Sequence, residues 1–444
     1  MHASAISARY TTPSPDTPIK LFEGLLRLSW DQLSVEGPGS INFVWEPSPR
    51  LVFEVQVPPD ASHQIGLDIT GEPFDADLEF VGSAGRGRAR VYGRTFNMGD
   101  DRFERTLSGT MLGDFIVGNP CATESIIFHV PNFPYSGEPI EVSGGWTSGR
   151  MSVQTESWGL EVDAVGSIND GLWSELKSRG GNGITHVGRV THHDKRAVSF
   201  DDVPQLRWAL NWWLSVIRGE RTGPILVLGL HEEEVIWEIW RTPAVSPWVA
   251  RRSWLPLALG SAPLSGIGTI FESLFDIASG SVLRRTIPRA IDWYTQSVAS
   301  GHLATTVILA QAGLELMTWL RLVSDGVLGQ EASRKLDAAD ALRVTLELAG
   351  IDLAVPSAVV ELFAATRRVE GQSSELDGPG AVVELRNGTI HPKPLARLGE
   401  DVVMEQGGRL AIRFLEMLLL HRLGYVGDAY NRTNWISPEL VPWG

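Results

Sequence analysis

An arginine, an asparagine and a histidine stand close together near the C-terminal end of this 444-residue chain, in Glu384-Leu-Arg386-Asn387-Gly-Thr-Ile-His391-Pro392. Their types suit phosphodiester cleavage. A guanidinium clamps phosphate oxygens and neutralises the charge that builds on them in the transition state. An imidazole, with an ordinary pKa near about 6.5, takes up and returns a proton around neutral pH. Asn387 can orient either group or hydrogen-bond the phosphate. The spacing alone is not selective. With 33 Arg and 10 His in the chain, an Arg followed by a His after four to six residues occurs twice, at Arg386…His391 and Arg179…His186. Short patterns of this kind arise about that often by chance. Context separates the two. Arg179-Gly-Gly-Asn-Gly-Ile-Thr-His186 runs through glycines into a strand-like segment, where nothing fixes the pair on one face; Arg386…His391 lies between helical patterns. Pro392 restricts His391 to extended backbone, so the histidine should end its turn. A purely structural role is the competing reading: Arg386 pairs with Glu384 or Glu315 at a helix end while His391 caps the next loop.

Other clusters carry weaker signals. His192-His193-Asp194 reads as a solvated turn, since adjacent strand residues point to opposite faces and cannot share a metal. His231-Glu232-Glu233-Glu234 reads as a charged hairpin connection. The sequence has no GK[ST] phosphate loop and no G-x-S-x-G elbow. Eleven of the 16 tryptophans precede residue 250, with Trp208, Trp212, Trp213, Trp237, Trp240 and Trp248 clustered. Such rings can form a sugar-stacking platform, but Trp208 and Trp212 stand four apart, as on one helical face, and core packing is the favoured reading.

Composition bounds the elements that must position these residues. A 43% hydrophobic, 20% charged chain is ordinary globular material of two to three domains. No window of 18 uninterrupted apolar residues occurs, so no membrane is expected as a partner. The N-terminus lacks a basic stretch followed by an apolar one, so no secretory leader is expected. A single cysteine, Cys121, excludes an intramolecular disulfide framework and fits a cytoplasmic setting. The net charge of −15 argues against nucleic-acid binding over the whole surface. Residues 281–444 hold 16 basic and 19 acidic side chains, nearly balanced, which leaves room for a local phosphate site.

The fold class expected is α+β multidomain. Runs such as Leu51–Val57 and Ser125–Val130 alternate apolar and polar residues between turn-formers such as Pro58-Pro59-Asp60, predicting an antiparallel sandwich or barrel over 1–165; we expect the sandwich-like form. Residues 166–245 read as an α+β extension, with a helix over 204–218 and strands over 186–190, 224–228 and 234–240. The two parts form one N-terminal region, 1–245. A Pro/Gly-rich linker over 246–266 then leads to an all-α bundle over 267–444. Helices are expected over 288–299, 303–324, 331–349, 356–368 and 401–423, with 370–381 the longest loop between them.

The C-terminal region resembles a HEPN domain, the helical bundle of the ApeA-type group. The resemblance rests on Arg386-Asn387 with His391 in the pattern R-N-x-x-x-H, on Ala310-Gln-Ala-Gly-Leu-Glu315-Leu-Met and on Leu418-Leu-Leu-His-Arg-Leu-Gly424-Tyr425-Val-Gly427. Ile19–Leu25, Leu206…Leu214 and Trp237–Trp240 fit the β-rich domain that precedes the bundle in that group. The resemblance implies a metal-independent endoribonuclease in which a ribose 2′-hydroxyl attacks the adjacent phosphate, leaving a 2′,3′-cyclic phosphate. It assigns His391 as acid/base, Arg386 as phosphate clamp and Asn387 as helper, with Glu315 supporting Arg386. No cofactor and no metal are implied. The implied partners are RNA, tRNA included, a second copy joined through the bundle, and a trigger bound by the N-terminal region. The implied setting is bacterial defence against phage by abortive infection, and removal of 1–245 would then free a toxic bundle. A non-catalytic dimerisation or binding protein, and a Trp-based carbohydrate binder, are the alternatives.

Overall fold

The computed structural model describes residues 5–57, 72–98, 103–135, 137–142, 145–166, 171–242, 244–250, 253–256, 261–367, 375–391, 400–434 and 438–444. The turn at Pro58-Pro59-Asp60, residues 370–374 of the 370–381 loop, Pro392 and Pro394 lie outside the described residues. The β-rich N-terminal region followed by helices is as the sequence predicts.

Six strands open the chain: β1 (Ile19–Trp30), β2 (Leu33–Val44), β3 (Arg50–Val57), β4 (Phe74–Phe80), β5 (Gly85–Met98) and β6 (Phe103–Gly118). They run antiparallel in the order β3-β2-β1-β4-β5-β6, and β3 returns to pair with β6. The expected sandwich is therefore a closed barrel, which leaves none of these six strands as a bare edge. In β3, Leu51, Phe53, Val55 and Val57 point inward and alternate with outward residues. They join Leu26, Ile41, Phe43, Leu78 and Leu107 in one core. At Gly109 an added Cβ would stand 2.0 Å from the Arg90 carbonyl oxygen, so the β5–β6 approach requires glycine there.

β6 is long enough to serve two sheets. Its Arg105–Thr110 stretch closes the barrel against Val57–Val52. Its last residues, Phe115–Gly118, pair with Trp240–Trp237. From there a second antiparallel array continues, built from β7 (Ser125–Pro131), β8 (Glu138–Val142), β9 (Gly145–Gln154), β10 (Trp158–Ala164), β11 (Ile184–His192), β12 (Ile225–His231) and β13 (Glu234–Trp240). Its order is β13-β12-β7-β11-β10-β9-β8. Helix α1 (Gly171–Arg179) joins β10 to β11, and α2 (Val203–Arg218) joins β11 to β12. Residues 5–17 form no helix or strand. They are tied across this array by Ile6 N–H to Asp163, Tyr10 N–H to His129 and the Tyr10 hydroxyl to Glu238.

The second array buries two histidines, His129 and His186. The Tyr10 amide donates to His129 Nε2, so Nδ1 carries the proton and donates to the Leu226 carbonyl at 3.0 Å. His186 Nε2 lies 2.6 Å from the Tyr135 carbonyl oxygen. Burial lowers both imidazoles to about 4. His192 stacks on Trp158 while His193 is exposed in the turn that follows β11, so the pair does not converge. Trp212, Trp213, Trp237, Trp240 and Trp248 are buried, as core packing predicts, whereas Trp208 is half-buried with the Arg284 guanidinium 3.6 Å from its ring centre.

The helical part comprises α3 (Ser261–Phe275), α4 (Val282–Ala299), α5 (Leu303–Trp319), α6 (Gln330–Ser333), α7 (Ala338–Leu348), α8 (Val360–Arg367), α9 (Gly378–Ile390) and α10 (Asp401–Arg422). A π turn, Leu320–Ser324, extends α5, and a short hairpin of β14 (Asp428–Tyr430) and β15 (Pro438–Leu440) ends the chain. Several boundaries differ from the sequence expectation. Helix α3 begins inside the stretch read as linker, because Pro263 sits in its first turn, where no N–H is needed. Helix α4 begins at Val282, capped by Ser281, and carries Pro288 inside it rather than at its start. The 331–349 helix is split by a new start at Asp337, which caps α7. By length and composition Leu303–Ser324 could cross a bilayer; here it packs along α4 and α10.

Two compact units result, but they are not 1–245 and 267–444. One is Met1–Arg207 with Thr222–Ala250; the other is Trp208–Arg221 with Arg251–Gly444. Within the second unit Trp213 Nε1–H donates to the Ile267 carbonyl at 2.9 Å and Trp254 Nε1–H to that of Val216 at 3.0 Å. A chain starting at residue 246 loses Trp213, Val216 and Ile217 from this core. It should aggregate, whereas the full-length chain should elute as a single species in size-exclusion chromatography. Acid should act on the first unit. The unfolded chain protonates His129 and His186 near pH 6.5, the folded one only near 4. Stability is therefore full above about pH 6.5 and declines toward pH 4, by up to about 3 kcal/mol per histidine. His186→Gln should flatten that decline in urea-unfolding midpoints.

Candidate functional site

The residues singled out by the sequence sit on or just after α9, a helix whose first turn falls in the stretch read as the 370–381 loop. Its start is set by Asp377, whose carboxylate accepts from the Gly380 amide at 2.8 Å, with Pro379 in the first turn. Such a cap satisfies an otherwise orphaned backbone donor. Arg343 on α7 holds the same carboxylate with two bonds, Nε to Oδ2 at 2.5 Å and an η nitrogen to Oδ1 at 2.9 Å. Burial pushes the Asp377 carboxyl up, but the bonds from Arg343 and Gly380 outweigh it and hold the group below its ordinary value. Ala381, Val382 and Leu385 form the buried face. Leu385 packs so closely on α10 that a Cβ on Gly407 would stand 1.9 Å from its Cδ1, so position 407 must be glycine for α9 to lie where it does.

At the far end of α9 the side chains emerge. Arg386 is half-buried, and an η nitrogen donates to Asn387 Oδ1 at 3.2 Å. It forms no ion pair with Glu384, Glu315 or any other described carboxylate. His391 ends the helix with φ −119° and ψ 80°, its amide donating to the Asn387 carbonyl at 2.8 Å, and its ring is exposed. The structure thus joins Arg386 to Asn387, and Asn387 to the His391 backbone, but it does not bring the Arg386 and His391 side chains together. Five residues on a helix is about 140° around the axis, so the two cannot share a face.

Glu315 does not hold Arg386. It is exposed on α5 and lines a separate recess with Gln311, Thr318 and Trp319. A carboxylate within an apolar helix was a sound signal of a polar environment, but periodicity gives no information about which neighbour it faces.

Sequence reasoning missed two further polar sites in this unit. Glu416, buried in α10, accepts from the Tyr294 hydroxyl at 2.6 Å and lies 2.6 Å from the Arg432 guanidinium. Burial and the neighbouring carboxylate push the Tyr294 hydroxyl well above its ordinary value, so it stays a donor. The lone Glu416 in Phe414-Leu-Glu-Met-Leu-Leu was the visible signal. His421, Arg321 and Arg422 line a cavity of about 130 Å³, with both guanidiniums bonded to Asp325. Burial and then the two arginines lower the His421 imidazole below its ordinary value.

Two family models match the chain: residues 118–251 match the YopA central domain, and residues 281–440 match the YopA C-terminal domain. The first begins at the last residue of β6 and covers the second β array; the second contains α4 to β15 and every candidate residue above. No solved structure matches. If the Asp377 cap sets α9, Asp377→Ala should destabilise the second unit by about 1–2 kcal/mol and speed hydrogen exchange at the start of that helix. The chain is similar over its whole length to the SPbeta prophage-derived uncharacterized protein YopA of Bacillus subtilis (strain 168), at 23% identity over 453 residues covering 100% of this chain and 99% of that protein.

Proposed function

We propose that this chain is a metal-independent endoribonuclease of HEPN type, acting through Arg386, Asn387 and His391 in a cytoplasmic homodimer. One observation carries the reading: in a chain of net charge −15, the Arg386 guanidinium is paired with no described carboxylate and is oriented instead by Asn387, beside a histidine that ends its helix in the open. A guanidinium left free of carboxylates keeps its donors for a phosphate. In the reaction the 2′-oxygen attacks phosphorus and the bond to the 5′-oxygen breaks, giving a 2′,3′-cyclic phosphate and a 5′-hydroxyl. One imidazole takes the 2′-hydroxyl proton and another donates to the leaving oxygen, while Arg386 neutralises the non-bridging oxygens. Because Arg386 and His391 diverge within one chain, a second copy supplies the complementary pair across a composite cleft. The prophage origin of the similar YopA protein is in keeping with an anti-phage effector, with the barrel and second array as the sensing region.

The divergence of the two side chains also favours a second reading, a bundle that binds or dimerises without cleaving. The full-length protein should be incubated with total RNA and with tRNA in EDTA, alongside Arg386→Ala, His391→Ala and His421→Ala. Cleavage by wild type and His421→Ala, lost at least about a hundredfold in the other two and leaving cyclic-phosphate ends, is the expected result. Loss in His421→Ala alone would move the chemistry to the Arg321–His421–Arg422 cavity. A dimer with no cleavage of any RNA, in the presence of phage lysate as well, would leave the binding reading standing.

A further inference from the structure

Helix α5 buries two polar side chains that have no protein partner among the described residues. Gln311 is 2% exposed and its Oε1 accepts no hydrogen bond; Thr318 is 8% exposed and its Oγ1 makes none either. A threonine within a helix ordinarily returns its hydroxyl to the carbonyl one turn back. Leaving such groups unsatisfied costs stability. Both residues line the same recess of about 170 Å³ between α5 and α7. Residues 311, 315 and 318 are four and three apart, so Gln311, Glu315 and Thr318 form one polar stripe on a helix that is otherwise apolar.

The rest of the recess narrows the occupant. Leu314 and Leu342 supply apolar walls, and Trp319, 43% exposed, presents an indole at the rim. The π turn that follows Trp319 is a local distortion of the kind frequent at binding sites. Glu315 brings a carboxylate to the rim, exposed and without an ion-pair partner among the described residues. No Lys or Arg lines the recess, so a phosphate is a poor match. A planar ring that stacks on indole and carries both donors and acceptors on its edge fits each part. The Gln311 amide pairs with an adjacent donor and acceptor, as it does with an adenine edge, and a carboxylate takes up an exocyclic amine.

We propose that this recess binds an aminopurine base or nucleoside, held by Gln311 and Thr318 in its floor, Glu315 at its rim and Trp319 against the ring. It is distinct from the Arg386 site. Leu385 lies against Gly407, and Thr306 against Gly408, so the end of α9 that bears Arg386 lies near the start of α5, whereas the recess lies toward its C-terminal end. Binding is read without RNA and without cleavage, so its failure and that of the ribonuclease reading are separable.

The probes are adenosine, guanosine and cytidine, titrated into the full-length protein by calorimetry and by thermal melting. A ligand that binds only the folded state raises the melting temperature. A purine nucleoside should bind and cytidine should not. Gln311→Leu and Thr318→Val, close in shape to the originals, should melt higher than wild type without ligand and bind the purine about tenfold or more weakly. Glu315→Ala, at an exposed position where folding is not at risk, should also weaken binding. The proposal is overturned if neither purine nucleoside binds wild type, if cytidine binds equally well, or if the Glu315 and Thr318 variants bind unchanged.

Discussion

A carboxylate buried in the middle of α10 is the constraint around which the helical unit is arranged. Glu416 stands among Leu415, Met417 and Leu418 at about 1% exposure. A buried charge of this kind is tolerable only when paired and hydrogen-bonded. Its partners come from two distant places: Tyr294 from α4, and Arg432 from the segment after the last helix. Against the penalty of its own burial, the Arg432 guanidinium is held above its ordinary value by Glu416 and Tyr294. The requirement therefore fixes α4 and the chain's end against α10.

Helix α10 is the surface on which the candidate sites are mounted. Its Gly407 admits α9 through Leu385, its Gly408 lies close against Thr306 of α5, and Gly313 of α5 in turn makes room for Leu415 of α10. Helix α9 then needs its own anchor at the other end, which the Arg343–Asp377 pair and the Asp377 cap provide. What emerges at the free end is a guanidinium paired with no described carboxylate and a histidine released from the helix. What lies between α5 and α7 is a recess whose floor is polar without a partner. Both features depart from local satisfaction of polar groups, and such departures concentrate where ligands act.

The first unit is organised differently. One long strand, β6, closes the barrel with its first half and starts the second array with its last four residues. The second array buries imidazoles and carboxylates along with the apolar residues, and it takes the N-terminal segment across it through Asp163, His129 and Glu238. That dependence on neutral buried histidines makes the unit sensitive to acid between about pH 6.5 and 4.

The sequence by itself determined the elements whose signals are local. Alternation in Leu51–Val57 is dictated by the two-residue strand repeat, and the apolar stripe of 204–218 by the helical one, so these were legible without any neighbour; Ser125–Val130, also read as half-buried, is buried along its whole length. The Arg386-Asn387…His391 spacing was equally legible, as was the break at His391, because Pro392 acts on the residue beside it; the helix that carries the motif was not. Tertiary structure decided the rest. Closure of a barrel rather than a sandwich depended on β3 meeting β6, a contact across some fifty residues that no local pattern encodes. Assignment of 208–221 to the helical unit depended on Trp213 and Val216 finding partners beyond residue 250. The separation of Glu315 from Arg386, and its place beside Gln311 and Thr318, followed from how α5 is rotated in the bundle. Helical periodicity says which residues share a face; only packing against other helices decides what that face meets.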